Sequence, residues 1–89
     1  MYAVIAKVSI SDAEAAQRHL RENVVPRVSQ APGFVAGYWT HSDDGTNGQA
    51  MVVFESQQAA QAVADRIPGM VPEGITLQGT EVREVVANA

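Results

Sequence analysis

Cysteine is missing altogether from this chain of 89 residues. With it go disulfide staples, thiolate metal sites and thiol nucleophiles. Basic residues are few and scattered: Lys7, Arg18, Arg21, Arg27, Arg66 and Arg83 stand against ten acidic ones, for a net charge of −4. Nucleic-acid binders carry a basic stripe, so this balance speaks against a nucleic-acid partner. No apolar run approaches the roughly 20 residues that cross a bilayer. Met1–Lys7 has neither a basic n-region nor a cleavage signature, so it reads as structure, and a cytoplasmic protein without a membrane partner is expected. No glycine-rich phosphate loop joins a strand to a helix, and no Gly-x-Ser-x-Gly turn occurs. The two histidines lack neighbouring carboxylates at ligand spacing. Asp43-Asp44-Gly45 lacks the further oxygen ligands and closing Glu of a calcium loop. No cofactor and no metal are therefore assigned.

What is present is apolar and patterned. Hydrophobic residues make up 46% and charged residues 18%, a balance that suits one globular domain over residues 1–89. A domain this short has a thin core, and unstapled domains of this size often gain stability by association.

The element pattern is α+β. Tyr2–Ile10 reads as a strand closed by Ser11-Asp12, a helix N-cap signal. Across Asp12–Ala31 apolar residues recur at Ala13, Ala16, Leu20, Val24 and Val28, a helical period. Pro26 predicts a bend or break within a turn of Val25. Phe34–His41 is a second strand, Ser42–Gly48 a turn, and Gln49–Glu55 a third strand completing a hairpin. Ser56 caps a second helix with Ala59, Ala60, Val63, Ala64 and Ile67 as its apolar stripe. Pro68–Gly74 reads as a loop and Ile75–Ala87 as the last strand. In that strand Ile75 and Leu77 lie on one face and Val82 and Val86 on the other, so a bulge is expected near Gly79-Thr80. The result is a ferredoxin-like βαββαβ fold: a four-stranded antiparallel sheet in the order 4-1-3-2, with two helices on one face.

Both faces of these strands are apolar. Ala3 and Ile5 oppose Tyr2, Val4, Ala6, Val8 and Ile10; Met51 and Val53 oppose Ala50, Val52 and Phe54. A sheet with one wet face alternates more cleanly. The helices cover one face only, so a homodimer through the sheet faces is the expected second cover.

Val25-Pro26-Arg27, Gln30-Ala31-Pro32-Gly33-Phe34-Val35-Ala36-Gly37-Tyr38-Trp39 and Val52-Val53-Phe54-Glu55-Ser56 carry a resemblance to the dimeric α/β-barrel superfamily. The chain is most similar to its small actinobacterial-type members related to antibiotic-biosynthesis monooxygenases. The resemblance spans nearly the whole chain. It implies a barrel of two four-stranded sheets with helices outside, and cofactor-independent oxygenation of a small planar aromatic, quinol or polyketide-like substrate. The alternative is a non-catalytic dimeric protein that binds a small ligand or scaffolds. Monooxygenase-like branches often place a Trp two residues after the Glu that ends strand three, and a His further along the second helix. Here Glu55 is followed by Gln57, and Asp65 lies near the His position. Strand one also lacks the Asn of haem-degrading members, which speaks against haem degradation.

The candidate catalytic residues are Tyr38, His19 and Asn23; the candidate substrate-binding residues are Tyr38, Arg27, Trp39 and His41. His19, Asn23 and Arg27 are spaced four apart and form one polar row on the first helix. Strand alternation places Tyr38 toward the helices, where its hydroxyl can bond a ligand, and Trp39 at the sheet–sheet interface. His41 ends its strand on the side of Trp39 and is an acid–base candidate.

Overall fold

The computed structural model describes residues 1–72 and 74–89. Strands β1 (Tyr2–Ile10), β2 (Phe34–His41), β3 (Asn47–Phe54) and β4 (Ile75–Glu84) form an antiparallel sheet in the order β2-β3-β1-β4, as expected. Helices α1 (Ala13–His19), α2 (Val25–Ser29) and α3 (Gln57–Ala64) pack on one face of it. The strand after the hairpin turn starts at Asn47 rather than Gln49. The last strand stops at Glu84 rather than Ala87; beyond it the Val85 N–H still donates to the Met1 carbonyl at 2.9 Å. Part of the expected loop is a 3-10 turn at Ile67–Met70; Glu73, in the same expected loop, lies outside the described residues.

The starts of α1 and α3 are capped by the residues that signalled them. The Asp12 carboxylate accepts from the Ala15 N–H, and the Ser56 hydroxyl accepts from the Ala59 N–H, each at 3.1 Å. Between α1 and α2 the backbone widens into a π-helix, Leu20–Val24, in which the Val25 N–H reaches the Leu20 carbonyl five residues back. Pro26 is the cause. It has no N–H to offer the Glu22 carbonyl, and in an α-helix its ring would strike that oxygen. Pro26 then sits in the first turn of α2, where a missing donor costs nothing.

Two bulges decide which way the side chains face. In β4, Lys7 pairs with Gly79 but Val8 pairs with Leu77, so Gln78 is extra. Ile75, Leu77, Thr80 and Val82 thereby share the helix side, as the break in parity required. In β2, Phe34 pairs with Phe54 but Ala36 pairs with Val53, so Val35 is extra. Plain alternation missed this second bulge. Phe34, Gly37, Trp39 and His41 face the helices, while Ala36, Tyr38 and Thr40 face away.

Phe54 and Val4 are fully buried and, with Val28, Val52, Ala60, Val63 and Ala64, form the core. Phe34 meets Phe54 edge to face, ring centroids 6.1 Å apart. On the open face Met51 is 42%, Val35 45% and Tyr38 66% exposed, with half-buried Ile5 and Val53 between them. Lys7 and the Glu81–Arg83 ion pair (2.7 Å) give this apolar patch a polar rim.

Candidate functional site

The packed core fills only one end of the space between helices and sheet. Toward the other end the sheet presents Ala6, Gly48 and Ala50, and α1 presents Ala13 and Ala16. Side chains this small do not meet across the gap set by the phenylalanines and valines of the core. A cavity of about 510 Å³ results, walled by aliphatic side chains and by Trp39. That volume falls in the ~300–1,000 Å³ range of small-molecule sites. The indole lies against Gly37, where a Cβ would stand 2.7 Å from its Cη2.

The polar groups gather at the margin. His41 stands at the end of β2 opposite Gly48. Its Nδ1 lies 2.7 Å from the Ser42 carbonyl and its Nε2 lies 2.9 Å from Gln17 Nε2. A carbonyl only accepts, so Nδ1 carries the hydrogen and Nε2 accepts from the Gln17 amide. The adjoining turn is held by Asp44, whose carboxylate accepts from the Ser42 hydroxyl (2.7 Å) and from the Thr46 N–H (3.0 Å) and hydroxyl (2.8 Å). These bonds, the one from Ser42 foremost, lower the Asp44 carboxyl to about 2.

The sequence candidates separate. His41 and Trp39 line the cavity, so Trp39 belongs to the helix side and not to the open face. Tyr38 lies on the open face, turned there by the Val35 bulge, and does not face the helices. His19 also lines the cavity, but both ring nitrogens are engaged. Nε2 donates to the Met70 carbonyl at 3.4 Å, and Nδ1 accepts from the Asn23 amide at 3.3 Å, tying the π-helix to the 3-10 turn. Asn23 is exposed and bonds His19 at the edge of the site. Arg27 is exposed and away from the cavity walls, since the wider π turn shifts the helical phase between it and His19. Gln17 and Arg21 also line the cavity, and neither was expected there. Gln17 carried a signal: it falls on the apolar stripe between Ala13 and Leu20, a polar residue where the period calls for an apolar one.

No sequence-family model matches the chain, and no curated protein matches it. Solved structures do. A mutant form of SnoaB, a cofactor-independent oxygenase from Streptomyces nogalater, superposes with a TM-score of 0.75 at 15% identity, covering 98% of this chain and 94% of that one. A provisionally named antibiotic biosynthesis monooxygenase from Deinococcus radiodurans gives 0.65 at 14% identity, covering 100% and 96%. A dimeric ferredoxin-like protein from an uncultured marine organism gives 0.62 at 10% identity, covering 100% and 98%. These likenesses show the fold: the chain is a ferredoxin-like βαββαβ protein, similar in structure to proteins described as antibiotic biosynthesis monooxygenases.

Proposed function

We propose that the protein is a cofactor-independent, oxygenase-like enzyme acting on a planar aromatic, quinol or polyketide-like substrate bound between the helices and the sheet. The observation that carries this reading is the cavity: mainly apolar walls, one planar indole, and a few polar side chains, with His41 and Gln17 paired among them. Aliphatic walls and Trp39 suit a flat ring system, and His41 suits an oxygen substituent on it. In such a reaction the substrate supplies the electrons: O2 gives one oxygen to a ring carbon, and the other leaves as water with two substrate hydrogens. The protein's part is to position the substrate and hold its developing negative charge by hydrogen bonds. The description of SnoaB as a cofactor-independent oxygenase supports the class of chemistry.

The same reading makes the working unit a homodimer joined through the open sheet faces. Its support is the apolar centre and polar rim of that face, the anatomy of a protein interface. The description of one similar structure as dimeric agrees with it.

Trp39 is the only tryptophan, so its emission reports on the cavity. Titration with a panel of hydroxyquinones is expected to quench it saturably, with one ligand per chain. Ala50→Leu, which fills the cavity from β3, is expected to weaken binding at least about tenfold while circular dichroism stays unchanged. Oxygen uptake with the corresponding hydroquinones then separates turnover from binding. No quenching across the panel would leave the scaffold alternative standing.

A further inference from the structure

We infer that His41 is the proton acceptor for an ionisable hydroxyl of the ligand, a phenol or enol, and that Gln17 is the group this hydroxyl displaces. The inference rests on the ligand-binding reading above and adds to it a substrate class and a named atom. The Ser42 carbonyl fixes the tautomer: with Nδ1–H committed at 2.7 Å, the lone pair of Nε2 is the only free basic position on the ring. That lone pair belongs to a side chain lining the cavity, and an amide donor from α1 sits on it at 2.9 Å. A ligand hydroxyl is a donor of the same kind and takes the same place.

The step balances by itself. The ligand O–H bond breaks, its proton moves to Nε2, and the electron pair stays on oxygen. The products are a phenolate or enolate beside an imidazolium, and no further reactant enters. The Ser42 carbonyl keeps its bond throughout, because the imidazolium retains Nδ1–H. Of the other charged groups nearby, Asp44 is bound up within its own turn. Arg21 lines the same cavity one helical turn on from Gln17. His19 does not compete, since its two nitrogens hold Met70 and Asn23.

The test uses 1,2-dihydroxyanthraquinone, whose visible band moves to longer wavelength on ionisation. Two readouts are taken in one titration near neutral pH: Trp39 quenching for binding, and the visible band for the charge state of the bound dye. The parent protein is expected to raise the ionised-to-neutral ratio of the bound dye at least about tenfold over the free dye. His41→Gln is expected to bind with similar affinity and lose that enrichment. Gln17→Ala is expected to keep it and to bind as well or better. Binding without enrichment in the parent overturns the assignment of His41 but leaves the cavity reading intact. Enrichment that survives His41→Gln also overturns it, as does enrichment lost in Gln17→Ala. Absence of quenching overturns the cavity reading and this inference with it.

Discussion

Gly37 shows how much one missing side chain decides. It lies in β2 on the helix side, against the Trp39 indole, and a Cβ there would stand 2.7 and 2.8 Å from two ring carbons. Any larger residue must displace the indole. Gly37→Ala is therefore expected to shift Trp39 emission and to cost about 1–3 kcal/mol, the usual range for overpacking a fitted site. Fluorescence spectra and urea denaturation check both. An unchanged spectrum with unchanged stability would mean the indole does not rest on Gly37. His41 belongs to the same scale. Its tautomer, and hence which nitrogen is basic, is set by a single carbonyl one residue away.

At the scale of elements, local chemistry accounts for where the helices begin and why the first one is irregular. The α3 start rests on the Ser56 hydroxyl, which satisfies the Ala59 N–H at 3.1 Å. Ser56→Ala is expected to lower stability by about 1 kcal/mol, and Ser56→Asp to restore most of it, because either oxygen can accept the same bond. Thermal or urea unfolding followed by circular dichroism reads this directly. Equal stability of all three proteins would mean the cap contributes nothing. In the first helical stretch Pro26 converts an α-helix into α1, a π turn and α2. The π turn has a consequence for the site: it lies between His19 and Arg27, so a row drawn at four-residue spacing does not continue through it.

For the whole molecule the decisive feature is the uncovered sheet face. Exposed Met51, Val35 and Tyr38 surround half-buried Ile5 and Val53, and the charged residues stand at the edge. Light scattering at micromolar concentration is expected to give twice the 9.5 kDa of one chain. Met51→Asp is expected to release monomer or unfold the protein, since a carboxylate would be buried without a partner. A 9.5 kDa species from the parent protein would contradict the dimer.

The sequence by itself determined the order and type of the elements, the two caps, the break near Pro26 and the β4 bulge. Each of these is written in short-range chemistry: a capping oxygen, a proline ring, a glycine, or a parity that fails within one strand. The sheet order followed as well, because connection rules leave few alternatives for this element order. The candidate site was legible only in part. His41 and Trp39 line the cavity, whereas plain alternation puts Tyr38 on the face opposite the one it occupies. The Val35 bulge carries no glycine, and alternation through Val35 is equally apolar with or without an extra residue. Only pairing with β3 fixes that register. The cavity was decided by tertiary structure alone. It exists because the small residues of β1, β3 and α1 face one another across a gap that larger residues elsewhere hold open. No single segment of the chain records which of its neighbours will be small.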